Sequence, residues 1–179
     1  MKGIVFTEFL DFVEEHHGIL TVDKIIEKSN LESGGVYTTV GTYNHFEMVS
    51  LVTELSKELE VEITDLLKIY GEHFFSVLLS SYPTFFENQN DCFEFLSSLD
   101  SYIHPEVLKL YPDAELPSFE TISRDDDHLR MVYTSNRALY SFAEGLIKGT
   151  FNFFQFQGAL EVESIIEDGK KVQFVISKN

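Results

Sequence analysis

The order in which two hydrophobic periods occur constrains this chain most: apolar residues recur at helical spacing up to about residue 110 and alternate like strands after Pro112 and Pro117. Residues 4–17 carry the stripe Ile4, Val5, Phe6, Phe9, Leu10, Phe12 and Val13, which runs to His16 and His17 and stops at Gly18. A short helix is predicted over 21–29, a loop over 31–40, and further helices over 44–58 and 62–80, the last with Thr64 or Asp65 as its cap. Pro83 breaks that helix, because it pushes Tyr82 out of the α region. Asn90 and Asp91 then offer an N-cap for a helix from Cys92 to about His104. Beyond the prolines, residues 119–122 and 129–135 flank the turn Asp125, Asp126, Asp127, and residues 138–154 return to helical spacing. Residues 160–166 and 172–176 flank Asp168 and Gly169, a favoured hairpin turn. Helices followed by ββαββ predict an α+β fold with an antiparallel sheet of about four strands packed on helices.

Charge narrows the function. The 179 residues hold 13 Lys and Arg against 30 Asp and Glu, a formal charge of −17. Such a chain repels phosphate backbones and anionic headgroups, so nucleic-acid and membrane-surface roles are not expected. No apolar stretch approaches the roughly 20 residues that span a bilayer, and Cys92, the single cysteine, can form neither an intrachain disulfide nor a multi-thiolate zinc site. A soluble, cytoplasmic protein is expected.

Most candidate motifs have ordinary explanations. His16 and His17 suit a helix C-terminus, where imidazole faces the helix dipole favourably. His45 and His73 have no histidine three or four residues away, and His128 beside the acidic turn reads as exposed. The Asp125–Asp127 run lacks the ligand spacing and glycine of a calcium loop, and Gly34-Gly35 lacks that of a phosphate loop. With 30 acidic residues, any choice of a catalytic carboxylate pair is arbitrary. His104 differs by position: it ends the stretch whose stripe is Leu96, Leu99 and Ile103, in line with Phe93, Ser97 and Asp100. Taken alone, that placement suits a hydrogen-bonded core histidine better than a ligand. Tyr133, Ser135 and Arg137 lie at i, i+2 and i+4, so in extended chain a phenol, a hydroxyl and a guanidinium point one way, as three donors for a carboxylate or phosphate.

A histidine about 30 residues before Tyr-x-Ser-x-Arg resembles the haem nitric oxide/oxygen binding (H-NOX) domain family, related to the haem sensor of soluble guanylate cyclase. The likeness extends through Met1-Lys2-Gly3, Gly71-Glu72-His73, Tyr102-Ile103-His104, Lys109-Leu110-Tyr111-Pro112, Pro117 and Ala143-Glu144-Gly145-Leu146-Ile147. It implies a single domain over 1–179, with a distal helical lobe at about 1–60, a proximal lobe at about 61–179 and haem b between them. It further implies His104 as the proximal iron ligand, Tyr133, Ser135 and Arg137 on the propionates, and Pro117 bending the porphyrin. Val5, Phe9, Phe74, Phe142 and Leu146 would form the distal pocket. The 17 Phe and 8 Tyr residues then have a purpose, since a porphyrin needs a large apolar slot. Oxygen-binding relatives place a distal Tyr, Trp and Asn at positions matching Phe142, Phe9 and Phe74, so this chain is expected to take NO and CO and to exclude O₂.

Within the family, NO weakens the iron–histidine bond, which here would free His104 and its helix. No kinase or cyclase segment is left over, so output is expected in trans, to a histidine kinase or a cyclic-di-GMP enzyme (diguanylate cyclase or phosphodiesterase). The chain itself is not expected to be an enzyme. The alternatives are an O₂-binding sensor, a peroxidase-like haem enzyme with His73 as its distal acid-base group, and a cofactor-free module that uses the cavity for lipid.

Overall fold

The computed structural model describes residues 1–87, 89–166 and 168–179. Its element order is α1 (Ile4–His17), α2 (Ile19–Lys28), α3 (His45–Leu59), α4 (Ile63–Ser81), a 3₁₀ turn at Pro83–Phe85, α5 (Cys92–Ser97), a π-helical turn at Leu99–Ile103, α6 (His104–Leu110), β1 (Ser118–Arg124), β2 (His128–Thr134), α7 (Tyr140–Phe154), β3 (Gly158–Ser164) and β4 (Lys171–Lys178). The strands form one antiparallel sheet in the order β1-β2-β4-β3, the α+β arrangement expected. Among the described residues no helix is long and apolar enough to cross a membrane.

Three local expectations are corrected. Helix α2 begins at Ile19, directly after Gly18, whose φ of 83° turns the chain in a single residue. Neither Thr64 nor Asp65 caps α4: the helix starts at Ile63 with no side-chain cap. The reason lies in α3, which ends on Glu60 in the left-handed region, while the Ser56 hydroxyl and carbonyl hold Val61 at 2.6 and 3.2 Å. That puts Glu62 at the cap position, two residues before Thr64, and leaves Thr64 inside the helix. The third correction concerns the Cys92–His104 helix, which Asp91 caps through Glu94 N–H at 2.8 Å but which is not one helix. Ser97 and Ser98 bond back to the carbonyls of Phe93 and Phe95 at 2.6 and 2.8 Å, a competition that bends helices. The chain widens into the π turn, and α6 restarts at His104. Pro105 thus opens a helix instead of closing one, since its missing N–H is not needed in a first turn.

Two buried clusters form the core. One gathers α1, α2, α3 and the first half of α4 around Phe6, Ile25, Leu51 and Tyr70, and the other lies between the sheet, α5 and α7 around Phe95, Met131, Ile147 and Phe174. Phe74 belongs to the first and Phe75 to the second, so α4 serves both. Cys92, 2% exposed, lies in the second, and burial, with Asp91 adding to it, pushes its thiol up to about 12. Iodoacetamide at pH 8 is therefore expected to leave the native protein unmodified while alkylating the guanidinium-unfolded chain fully, with mass spectrometry as the readout.

Candidate functional site

Between the two clusters lies a cavity of about 260 Å³. Its walls come from the first turn of α1 (Ile4, Val5), α4 (Phe74, Phe75, Leu78), the π turn and α6 (Ile103, His104, Val107), the loop carrying Leu116 and Pro117, and α7 (Phe142, Leu146, Ile147). The wall is mostly apolar; its polar groups are His104, Thr150, whose hydroxyl is bonded to the Leu146 carbonyl at 3.0 Å, the phenols of Tyr82 and Tyr111, bonded to each other at 2.6 Å, Tyr133, and an edge where Lys2, Glu115, Ser135 and Arg137 gather.

His104 enters this wall at the junction of the π turn and α6, with its ring 5.9 Å from that of Phe119. Its Nδ1 lies 2.9 Å from Asp100 Oδ1, and the other oxygen of that carboxylate accepts the Phe119 N–H at 2.8 Å. Because a carboxylate only accepts, Nδ1 carries the proton and Nε2 keeps a free lone pair. Burial pulls the His104 pKa below the ordinary histidine value, against the opposing pull of Asp100. The result is a neutral imidazole, 17% exposed, oriented by a carboxylate as metal-bound histidines are.

Tyr133 is buried on β2, paired with Phe119 and Val172, and burial raises its phenol pKa, partly offset by a hydrogen bond from Ser135. Strand geometry does not continue to Arg137, because β2 ends at Thr134. A turn follows in which Ser135 Oγ accepts Arg137 N–H at 3.2 Å and Ala138 takes a φ of 54°. That turn, not strand alternation, brings all three side chains to the cavity. Arg137 donates from Nη1 to the Glu115 carbonyl at 2.7 Å and from Nη2 to its carboxylate at 2.9 Å, and its side chain is 13% exposed. A guanidinium held by one residue in this way presents its remaining donors in a fixed direction.

Val5, Phe74, Phe142, Leu146 and Pro117 line the cavity, but Phe9 does not. Helix α1 runs away from the cavity after its first turn, so Phe9 packs one layer back, edge-on to Tyr70 at 5.1 Å. Tyr70, in turn, spends its hydroxyl on the Val5 carbonyl at 2.6 Å. His73 is also outside the lining, packed on Phe12 at 4.9 Å. Asp100 and Glu115 are the site residues that sequence reasoning missed. Asp100 had a readable signal, four residues before His104, whereas Glu115 had none. Together these groups suit a large apolar body that offers a Lewis-acidic centre to an imidazole and carboxylates to an arginine, a serine and a tyrosine. The donor set and the apolar walls fit an iron porphyrin.

The family profile described as Haem-NO-binding (HNOB) matches residues 2–163. Comparison with curated proteins finds no match. Among solved structures, the Fe(II) unliganded H-NOX protein from K. algicida is 49% identical, with a TM-score of 0.97 over 100% of this chain and 97% of that one. The IWP-051-bound H-NOX from Shewanella woodyi in the Fe(II)CO state is 37% identical, with a TM-score of 0.84 over 100% and 95% of the two chains. The H-NOX protein from S. oneidensis in the Fe(II)NO state is 26% identical, with a TM-score of 0.91 over 100% and 99%. The chain belongs to the haem-NO-binding, or H-NOX, family.

Proposed function

We propose that the cavity holds haem b with His104 as its protein ligand, and that the protein is a soluble, cytoplasmic sensor of nitric oxide. The observation that carries this reading is the place of His104 in the wall of a largely apolar cavity while Asp100 holds its Nδ1, which leaves Nε2 as the ring nitrogen available to a ligand. When bound, the haem would supply a ferrous iron able to take a diatomic gas. Tyr133, Ser135 and Arg137 would hold the propionates, and Pro117, also in the cavity lining, would bend the macrocycle.

The opposite wall sets selectivity. Val5, Phe74, Phe142 and Leu146 bring no hydrogen-bond donor, and the nearby Tyr70 hydroxyl is committed to Val5. Bound O₂ gains from such a donor whereas NO and CO do not need one, so NO and CO are retained and O₂ is not. His73 lies beyond Phe12, so no acid-base pair of a peroxidase faces the cavity among the described residues. Relatives bearing NO and CO support the choice of gases.

Output runs from the His104 helix. Beyond α6, Asp113 accepts from Lys2 Nζ at 3.1 Å and from the Thr42 hydroxyl at 2.6 Å, and Lys2 also donates to the Val40 carbonyl at 2.6 Å. Movement of α6 is thereby passed to the N-terminal helices. The receiver acts in trans, as a histidine kinase or a cyclic-di-GMP enzyme, docking through a basic surface that complements the −17 charge.

Absorption spectra of the protein expressed with ample haem test this directly. A Soret band that shifts on adding NO or CO to the ferrous protein, with no stable oxy spectrum in air, is expected. A stable oxy spectrum overturns the gas assignment, and the absence of any Soret band overturns the haem reading.

A further inference from the structure

The reading above uses one histidine and leaves five, two of which the fold brings together from distant parts of the sequence. His16 closes α1 and His73 sits midway along α4. Both rings rest on Phe12, at centroid distances of 4.5 and 4.9 Å, and their own centroids are 6.4 Å apart at 87°. His16 Nδ1 donates to the Phe12 carbonyl at 2.9 Å, which fixes the tautomer and leaves Nε2 as a free, exposed acceptor. A ring nitrogen pinned to a carbonyl is how ligating histidines are commonly oriented. With metal–nitrogen distances of about 2.0–2.1 Å, two imidazoles on one tetrahedral ion have centroids roughly 5 Å apart, so a small rotation of the His73 side chain, with His16 left on the Phe12 carbonyl, closes the gap.

The surroundings favour a cation. Glu8 lies within electrostatic reach of His73, and Asp11 lies beside Glu8. Helix α1 contains no Lys or Arg, and Lys68, the only one in α4, is paired with Asp65 and Glu144. Among the described residues no cluster of three or more His, Cys, Asp or Glu forms a complete metal cage, so water must fill the remaining positions. An open, exchangeable site with imidazole ligands suits Zn²⁺, Ni²⁺ or Cu²⁺ and not Ca²⁺ or Mg²⁺.

We propose that His16 and His73 chelate one divalent transition-metal ion across α1 and α4, a site independent of the haem reading. Its effect would be to tie the end of α1 to α4.

Calorimetric titration of Zn²⁺ into the haem-loaded, tag-free protein tests it. One equivalent is expected to bind, with affinity reduced at least tenfold by His16→Ala or by His73→Ala, and unchanged by His17→Ala. Zn²⁺ should also raise the melting temperature of the parent and not that of His73→Gln, a variant that keeps the bulk of the side chain. Mg²⁺ should give no heat. Parent-like Zn²⁺ affinity in His73→Ala overturns the proposal, as does equal loss of affinity in His17→Ala.

Discussion

Alanine at His104 is expected to leave a folded protein that no longer retains haem, seen as loss of the Soret band while the far-ultraviolet circular dichroism is unchanged. Loss of an outer partner of a metal ligand already weakens metal affinity by about 10–100-fold, so removal of the ligand itself should weaken haem retention by at least about a hundredfold. The cost to the fold is limited. Asp100 loses the imidazole but keeps the Phe119 N–H, so one hydrogen bond to a carboxylate, worth about 1.5–3 kcal/mol, is forfeited next to a cavity that already exists. Exogenous imidazole added to His104→Gly should restore the Soret band, a rescue that a histidine needed only for packing would not permit. A parent-like Soret band in His104→Ala would remove His104 from the ligand role.

Element types were readable because each carries a strong hydrophobic period, and the β1–β2 and β3–β4 pairings followed from turn residues at Asp125–Asp127 and Asp168-Gly169. What escaped depends on contacts between segments. The π turn at Leu99–Ile103 arises from Ser97 and Ser98 bonding backwards, which leaves no mark on apolar spacing. The helix expected to end near His104 restarts there instead, because a proline just past a helix end and a proline in a first turn, as Pro105 is, look alike until the next turn is seen. Tyr133, Ser135 and Arg137 stood out by composition, yet the turn after β2 in which Ser135 Oγ accepts the Arg137 N–H gathers them, not the strand that the spacing implied. Glu115 is tied to Arg137 over 22 residues of chain, and His16 to His73 over 57, separations at which sequence pattern says nothing about proximity. Phe9 shares the face of Val5 on α1, but only the helix direction in space shows that it has left the cavity.

Valine at Gly145 is expected to cost about 3 kcal/mol, and the reason is space, since the φ of this residue is not in the positive region. A Cβ there would stand 2.1 Å from the Lys68 carbonyl oxygen, and one on Gly71 would stand 2.2 Å from that of Phe142, so α4 and α7 touch backbone to backbone at these glycines. One α-helical turn beyond Gly145, a Cβ on Gly149 would lie 2.5 Å from that of Phe75, which extends the contact along the same face. A flexible side chain could swing aside, but a carbonyl inside a helix cannot, so the helices must part. For a domain of this size, 1 kcal/mol lowers the melting temperature by about 2–4 °C, giving a fall of about 6–12 °C by calorimetry. The better helix propensity of valine over glycine offsets only a few tenths of a kcal/mol. The same two helices carry Phe74, Phe75, Phe142 and Leu146 into the cavity wall, so parting them opens the slot. Haem transfer from the variant to apomyoglobin should accordingly be faster than from the parent. A melting temperature within 2 °C of the parent, as a threshold of about half a kcal/mol, would show that the crossing has slack and that the wall of the cavity is not set by these glycines.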